Sequence, residues 1–572
     1  MTRLPALLTG LLGALVLATG CSTVPTSSPT VQITQAPARP NADVGIEPLS
    51  PEPGATPEEV VRGFIDAAAS ATRGHPVARE HLAPDPAKTW SDETGITVIS
   101  PDYATVTTDA GHVRVTAGLV GTVDPRGVFT VGGQQAFTRE FSLKQLNGEW
   151  RITDPPDGLL MLAPDFQRLY DDRNAYFLDP TGQRMVPDPR YLITGEAQPT
   201  SLVDREIDGA SSALAAGVRN PLAGAQLRRA ITVSGQTLTV DLTNVSPAPT
   251  PELSQLCAQL VWTLGQFSPR SVQILIDGEP VALDGIPAVQ TVDNWAQFDP
   301  DGAAVDAVGH YLLNGALHTV SGNPAPGPAG AGVYGLTSAA VSADQRTGKL
   351  SSMAGTTGGG GSTTLLAGPY GGDLVPVLTA GSLTKPTVAA TRAETWLVRD
   401  GHEVVRVPAG APPQSVNTPS LSGLGPITVL QLSPDGVRAA VVLDSGGGPT
   451  LYVGIVARSD DGGVSLGDLR EITPTLLRVV DVAWRDGGTL IVLAADAGQA
   501  RTVPYTVGVD GFGLSDVPTA GLPSEPTAVA AAPSRQPLVS AGGTIWEFSG
   551  GTWLTLIRGA EPLQGSEPFY PL

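Results

Sequence analysis

The C-terminal half of the chain repeats a short strand–turn–strand pattern, which constrains the fold more than any other feature of the sequence. The clearest copy is LQLSPDGVRAAVV at 430–442, where two apolar strands flank a Ser-Pro-Asp-Gly turn. Proline presets φ at the second turn position, aspartate bonds the backbone, and glycine accepts the positive φ that follows. The copies are anchored at Asp299, Ser342, Thr391, Ser433, Arg485 and Pro533, with spacings of 43, 49, 42, 52 and 48 residues.

A period of roughly 40 to 50 residues with four short strands per period is typical of the blades of a β-propeller. Six blades fit the anchors, and five fit if the Asp299 copy belongs to the preceding linker. Segments that begin near Tyr311, Trp396 and Ile545 are predicted to form outer hairpins of the blades. We therefore predict a propeller over residues 290–572 that closes into a ring, because one blade alone buries only part of each face.

A first folded unit is predicted over residues 58–165. Thr56-Pro57-Glu58-Glu59 has the pattern of a helix-initiating capping box, and from Thr97 onward the apolar residues alternate with period two. Helices followed by an antiparallel sheet resemble the NTF2-like cone, some members of which carry a catalytic acid. The candidates for that role are Asp102, Tyr103 and Asp154, which we interpret instead as turn and strand-end residues.

A second unit is predicted over residues 174–285. It contains a β-hairpin with Ser234-Gly235 at its turn and a helix whose apolar stripe includes Cys257. The unit resembles the GerMN domain of Gram-positive lipoproteins and spore-germination proteins. The resemblance is carried by the segments YFLDPTG, VDLTN, LVWTLGQF and VQILIDG. That resemblance implies a docking module without a catalytic role. The predicted fold class is thus multi-domain, α+β and all-β.

The N-terminus has the pattern of an export signal that ends just before Cys21. Arg3 precedes a 13-residue uncharged apolar stretch, which is too short for a spanning helix of roughly 20 residues. Small residues before Cys21 resemble the lipobox of bacterial lipoproteins, although Ala18 stands where the family prefers leucine. The resemblance implies a signal peptide over 1–20, cleavage between Gly20 and Cys21, and a cysteine that carries S-diacylglycerol and an N-acyl group.

Residues 21–57 are predicted to be an extended tether between the membrane and the folded units. They are rich in serine, threonine and proline and too poor in apolar surface to build a core. At about 3.1 Å per residue, the segment could span roughly 110 Å. We therefore predict an extracytoplasmic protein that is attached to the cell membrane by lipid.

Charge and motifs argue against several function classes. The chain has a net charge of −21, so nucleic acid is not expected as a partner. It contains no G-x-S-x-G, HExxH or paired CxxC motif. Two residue pairs are weak patterns for a metal site: Asp299 with Asp301, and His402 with Glu403. We interpret these four residues as turn residues. We interpret Gly358–Gly361 as a flexible loop. We predict no catalytic residue, metal, cofactor or small-molecule substrate, and a buried, unreactive Cys257.

The order of these parts resembles the LpqB-type lipoproteins of actinobacteria. That resemblance implies an accessory protein of a two-component system, whose partner is the extracellular domain of an MtrB-type sensor histidine kinase and whose action affects cell-wall homeostasis and division. An alternative from another class is a lipoprotein that binds cell-wall glycan or serves as a scaffold for envelope assembly. In that case a propeller surface would be lined by Trp396, Trp484, Trp546 and Trp553.

Overall fold

The computed structural model describes residues 48–246, 249–302, 307–344, 347–459, 461–496, 498 and 501–572. The predicted signal peptide, Cys21 and the tether up to residue 47 lie outside these ranges. The helices within these ranges all lack the length and apolar character that are needed to cross a bilayer.

The first unit packs helices against a sheet. Its helices are α1 (Pro57–Ala68), α2 (Pro76–Glu80), α3 (Pro84–Thr89) and α4 (Ala163–Leu169). Its strands are β1 (Ile96–Ile99), β2 (Ala104–Asp109), β3 (His112–Val123), β4 (Phe129–Val131), β5 (Ala136–Leu146), β6 (Glu149–Ile152) and β7 (Leu159–Leu162). Helix α1 begins at the predicted capping box, in which Thr56 and Glu59 exchange hydrogen bonds.

Strand β3 is the centre of this sheet. Its first half pairs with β2 and β5, and its second half pairs with β1 and β4. The order of the sheet is β6-β5-β3-β1-β7, with β7 parallel to β1. Phe64 of α1 is fully buried and meets Trp90 and Phe141 edge to face. The unit therefore has the mixed helix-and-sheet character that the sequence predicted.

The second unit combines a long hairpin, two helices and a mixed sheet. Strands β8 (Tyr170–Leu178) and β9 (Met185–Ile193) form the hairpin, followed by α5 (Gln198–Ile207). The other elements are β10 (Gln226–Leu227), β11 (Thr232–Ser234), β12 (Thr237–Thr243), α6 (Thr250–Leu264), β13 (Ser271–Ile276), β14 (Glu279–Pro280) and β15 (Val289–Gln290). Parallel strands need a crossover, and α6 provides it between β12 and β13. Cys257 of α6 is fully buried, and it has no cysteine partner among the described residues.

The described residues of the third unit form six small sheets. Blade 1 has four strands: β18 (Leu336–Ala343), β19 (Leu350–Gly359), β20 (Ser362–Pro369) and β21 (Val375–Ala380). Blade 2 has four strands: β22 (Thr387–Ala389), β23 (Arg392–Arg399), β24 (Glu403–Pro408) and β25 (Gln414–Ser415). Blade 3 has four strands: β26 (Ile427–Leu432), β27 (Arg438–Asp444), β28 (Pro449–Arg458) and β29 (Val464–Glu471). Blade 4 has four strands: β30 (Leu476–Trp484), β31 (Thr489–Asp496), β32 (Val503–Gly508) and β33 (Ser515–Asp516). Blade 5 has four strands: β34 (Pro526–Ala530), β35 (Leu538–Ala541), β36 (Thr544–Ser549) and β37 (Thr552–Thr555).

The closing blade unites the two ends of the propeller. It consists of β16 (His310–Leu313), β17 (Ala316–Thr319) and β38 (Ser566–Phe569), and it is followed in sequence by the short helix α7 (Gly327–Gly330). The first strands of blades 1 to 5 contact one another in order, and β38 contacts both β34 and β18. The inner strands therefore form a closed ring, and six blades are confirmed.

Five of the six predicted anchors are confirmed, and the Asp299 anchor is wrong. Ser342, Thr391, Ser433, Arg485 and Pro533 all lie at or beside the connection between the first and second strands of a blade. Residues 292–298 instead form a 3-10 helix. Trp295 and Phe298 of this helix pack into the core of the second unit, where they bury apolar surface that α6 leaves uncovered. The missing sixth copy is supplied by the distant pairing of β38 with β16.

The assignment of three recurring segments as outer hairpins is also wrong in part. Tyr311 and Trp396 lie on β16 and β23, which are the second strands of their blades. Both residues are almost fully buried, because second strands are covered on both faces by neighbouring blades. Ile545 begins a hairpin of third and fourth strands. An aromatic residue before a glycine turn therefore does not specify the position of a strand within a blade.

Candidate functional site

The junction where all three units meet is the best candidate for a functional site. An aromatic cluster joins Phe129 and Phe166 of the first unit, Tyr191 of the second and Phe512 of blade 4. The ring centroids in these contacts lie 4.9 to 5.6 Å apart, within the range of favourable aromatic pairs. The Tyr191 hydroxyl donates a hydrogen bond of 3.0 Å to Asp510 of the propeller.

Strand β9 contributes a buried ion pair to this junction. Arg190 is fully buried, and its Nη2 lies 2.9 Å from Oδ2 of Asp188. The same carboxylate accepts hydrogen bonds from the backbone N–H and the hydroxyl of Ser211, at 2.6 and 2.8 Å. Burial alone would raise the pKa of Asp188, but Arg190 and the Ser211 donors outweigh it and lower that pKa.

Arg438 of blade 3 joins the propeller to the second unit. Its Nη2 donates to the carbonyl of Pro187 at 2.5 Å, and its Nη1 donates to the carbonyl of Gly487 at 3.2 Å. Arg438 is 4 % exposed, so these bonds are shielded from water. The junction is therefore a buried polar and aromatic contact, in contrast to a flexible linker between independent units.

A cavity of about 560 Å³ with acidic walls opens beside the aromatic cluster. Its walls include carboxylates from the second unit, from the segment that follows that unit and from blade 4, and none of the described residues that line it is basic. The carboxylates are those of Asp171, Asp172, Asp301, Asp486 and Asp510. This concentration of like charge makes ionisation of the more buried members unfavourable.

Two of these carboxyl groups have strongly raised pKa values. Burial, with repulsion from Asp486 and Asp299, raises the pKa of Asp301 to about 6, against the opposing effects of the Gly487 N–H and Arg184. Burial also raises the pKa of Asp510 to about 6. Repulsion by Asp172 adds to that shift, and the bonds from Phe512 and Tyr191 oppose it.

We predict that the junction is more stable in mild acid because of Asp301 and Asp510. An aspartate in an unfolded chain has a pKa near 3.9, so between about pH 4 and 6 the folded protein retains protons that the unfolded chain has lost. The stability from these groups is therefore greatest below about pH 4 and falls as the pH rises to 6. Asp301→Asn should raise the free energy of unfolding at pH 7 by about 1–2 kcal/mol, allowing for the open cavity.

Thermal unfolding of the variant and the parent between pH 4.5 and 7.5 measures this effect. The double variant Asp301→Asn/Asp510→Asn should have the flatter dependence on pH. Asp284→Asn, which removes the same charge at an exposed position, is the matched control and should keep the parental slope. Identical slopes in the double variant and the parent would contradict the assignment.

The same junction holds a second, more apolar cavity of about 290 Å³. Its walls come from residues 128–131 of the first unit, from the second unit around Ser211 and Ala213, and from blades 3 and 4. The apolar part of the wall is formed by Val128, Phe129, Val131, Val453, Ile472 and Val509.

A third cavity, of about 70 Å³, lies in the channel along the propeller axis. Lys385 extends into it, and its Nζ lies 3.0 Å from Oδ2 of Asp481 and 2.7 Å from Oε2 of Glu567. Burial alone would lower the pKa of Lys385, but the two carboxylates raise it above its usual value. Glu567 belongs to β38, so this triad connects the strand that closes the ring with blades 2 and 4.

The tryptophans proposed to form a glycan surface do not form one. Trp396, Trp484 and Trp553 are 0 to 4 % exposed, and only Trp546 is partly accessible. The indole N–H groups of the three buried rings donate to Glu394 Oε1, to the Gln431 carbonyl and to the Pro518 carbonyl, respectively. Blade cores need large apolar side chains, and these rings serve that purpose.

The other candidate residues have local roles. Asp154 accepts hydrogen bonds from the backbone N–H and hydroxyl of Ser142, whereas Asp102 is exposed and Tyr103 packs against the core of the first unit. Among the described residues, no group of three or more His, Cys, Asp or Glu side chains is arranged to hold a metal ion. Apart from Asp301, which the sequence suggested only as part of a weak metal pattern, the residues of the junction were not singled out by the sequence. Their contacts join segments as far apart as Phe129 and Phe512.

Three family models match successive parts of the chain. Residues 50–167 match the N-terminal domain of lipoprotein LpqB, and residues 174–282 match the Germane model, described as sporulation and spore germination. Residues 315–571 match the β-propeller domain of lipoprotein LpqB.

Relatives named lipoprotein LpqB align with nearly the whole chain. That of Rhodococcus opacus is 31 % identical over 557 residues, which cover 92 % of this chain and 90 % of the relative. That of Mycolicibacterium smegmatis is 32 % identical and covers 91 % of each chain. That of Mycobacterium tuberculosis is 32 % identical and covers 90 % of each chain.

Solved structures resemble parts of the chain at low identity. TolB from Acinetobacter baumannii aligns with a TM-score of 0.33 and 14 % identity, covering 47 % of this chain and 68 % of that one. A chain of the nidogen/laminin complex aligns with a TM-score of 0.32 and 8 % identity, covering 46 % of this chain and 98 % of that one. Because its curated relatives align over nine-tenths of their length and their domain models match in the same order, this chain belongs to the LpqB lipoprotein family.

Proposed function

We propose that this protein is a lipid-anchored accessory regulator of a two-component system on the extracytoplasmic face of the cell membrane. It acts by contacting the extracellular domain of an MtrB-type sensor histidine kinase, and it thereby affects cell-wall homeostasis and division. It does so by binding and not by catalysis. The kinase and its output are implied by the resemblance to the LpqB-type lipoproteins.

The observation that carries this proposal is the buried junction between the three units. Arg438 and the aromatic cluster hold surfaces of the first unit, the GerMN-like second unit and blades 3 and 4 in fixed proximity. A preorganised surface loses little conformational entropy on binding, which favours a docking role.

Lipid attachment at Cys21 would confine the protein to the surface where a sensor kinase is embedded. Two acyl chains give stable anchoring, since each buried methylene contributes about 0.8 kcal/mol. A flexible tether that spans the distance between two membrane-bound partners raises their effective concentration. A modest intrinsic affinity for the kinase would then be sufficient.

The direct test is binding between the lipid-free chain from residue 22 onward and the immobilised kinase ectodomain. We expect saturable binding, measured by surface plasmon resonance. The isolated ectodomain of an unrelated sensor kinase is the specificity control. If the folded chain does not bind the MtrB-type ectodomain at micromolar concentrations, the proposal is wrong.

A second experiment tests the anchor. Cys21→Ala should move the protein from the membrane fraction to the medium and reduce the output of the two-component system. Cys257→Ala is the matched control, because it changes the other cysteine, which is fully buried in α6. Membrane retention of both variants would exclude anchoring through Cys21, while leaving the kinase contact to be judged by the binding assay.

A further inference from the structure

We propose that the apolar cavity of about 290 Å³ at the three-unit junction binds a small amphiphile with a cationic amine head and an apolar body of roughly bicyclic size. This site goes beyond the proposed contact with a kinase and does not depend on it. Clefts between domains are common locations for small-molecule binding sites.

The size and lining of the cavity define the body of the ligand. An apolar cavity of about 150 Å³ is enough to bind benzene. This cavity has about twice that volume, and Phe129, Val453 and Ile472 are among the apolar residues of its wall. A body of two fused rings, or an alkyl chain of similar volume, would fill the space.

The polar groups of the wall define the head of the ligand. Most of them already have partners inside the protein: Asp188 is bonded by Arg190 and Ser211, and Arg438 donates to two carbonyl oxygens. These groups are therefore not free to select a ligand.

Glu471 differs from the other lining groups. Its carboxyl is half-buried at the end of β29, and among the described residues it has no ion pair or hydrogen bond from its side chain. Burial raises its pKa. Lining carboxylates Asp468 and Asp510 add negative potential, and the lining cation Arg470 donates to the Ser212 hydroxyl. An ammonium head would supply the missing donor and positive charge, whereas a carboxylate head would be repelled.

Three naphthalene probes that differ only in their heads test this assignment on the lipid-free chain from residue 22 onward. They are 1-naphthylmethylamine, 1-naphthalenemethanol and 1-naphthoate, and isothermal titration calorimetry at pH 7.5 gives their affinities. We expect one site, with the amine bound at least about tenfold more tightly than the carboxylate. The amine should also raise the thermal midpoint as its concentration rises, because ligand that binds only the folded protein stabilises it.

Two variants test where the probes bind and which side chain recognises the head of the ligand. Glu471→Gln keeps the shape of the side chain and should remove the preference for the amine over the alcohol. Ala213→Phe places a ring at the wall of the cavity and should abolish binding of all three probes. Ala213 is partly exposed, so the larger side chain has room without disturbing a core.

Ala216→Phe, at an exposed position three residues away, is the matched control and should bind like the parent. The proposal is overturned if no probe binds at 1 mM, if Ala213→Phe retains full affinity while remaining folded, or if the carboxylate binds most tightly. A preference for the amine that survives in Glu471→Gln would overturn the role of that carboxyl group.

Discussion

Replacing Lys385 with methionine is expected to lower the free energy of unfolding of the propeller by about 3 kcal/mol. Removal of one partner from a buried ion pair typically costs about 3–5 kcal/mol, because the other charge remains buried without compensation. The lower end applies here, since one-third of the Lys385 side chain is exposed to the channel.

The cost arises because two carboxylates depend on the same ammonium group. Without Lys385, Asp481 would retain the backbone N–H of Val529 as a donor at 2.9 Å, and its Oδ1 already has no hydrogen-bond partner among the described residues. Glu567 would face the Asp481 carboxylate across the channel with no intervening cation. Because Glu567 lies on β38, the repulsion would act on the strand that closes the ring.

Denaturant unfolding followed by tryptophan fluorescence measures this effect, since four of the eight tryptophans lie in the propeller. Lys88→Met is the matched control: this lysine is 77 % exposed and lies 4.0 Å from Asp85, so its removal should change stability little. The triple variant Lys385→Met/Asp481→Asn/Glu567→Gln should recover a large part of the loss, because it removes the unpaired charges as well. An unchanged midpoint in Lys385→Met would contradict a structural role for the triad.

The sequence predicted the blades well because their signal is local. Ser433, Asp435 and Gly436 define a turn by their own backbone preferences, and the Ser433 hydroxyl does bond to Asp435 and to the backbone N–H of Arg438. The capping box at Thr56 and the apolar stripe around Cys257 are equally local, and both were confirmed. Such features depend on neighbours within one or two turns of chain.

The sequence could not predict features that depend on distant pairing. The closing blade pairs His310 with Phe569, which are separated by most of the third unit. The segment around Trp295 has an apolar pattern that fits a blade strand as well as a 3-10 helix, and only packing against α6 decides between them. Arg190 and Asp188 lie in the segment MVPDPRYLI, whose sequence pattern indicates only an ordinary extended strand. Their burial becomes apparent only when the first unit and blades 3 and 4 cover it.

Replacing Arg190 with methionine is expected to destabilise the junction by about 3–5 kcal/mol, at the upper end for a single substitution. Arg190 is among the largest fully buried side chains of the described residues. Methionine has a similar length and fills much of the same volume, so the loss would reflect the charge more than a cavity. Asp188 would keep its two hydrogen bonds from Ser211 but lose the cation that contributes most to lowering its pKa.

The consequence should extend beyond the second unit, because the junction joins all three. We expect limited proteolysis of Arg190→Met to cut between residues 163 and 193 at conditions where the parent resists, together with a lower midpoint of thermal unfolding. Arg205→Met is the matched control, since that arginine is 34 % exposed and lies 3.9 Å from Asp208. The double variant Arg190→Met/Asp188→Asn should be more stable than Arg190→Met alone, because asparagine can accept the Ser211 N–H at its oxygen and donate to the Ser211 hydroxyl from its amide nitrogen, without a buried charge. If the double variant were less stable than the single one, the loss would arise from packing, and the buried ion pair would not be what holds the junction together.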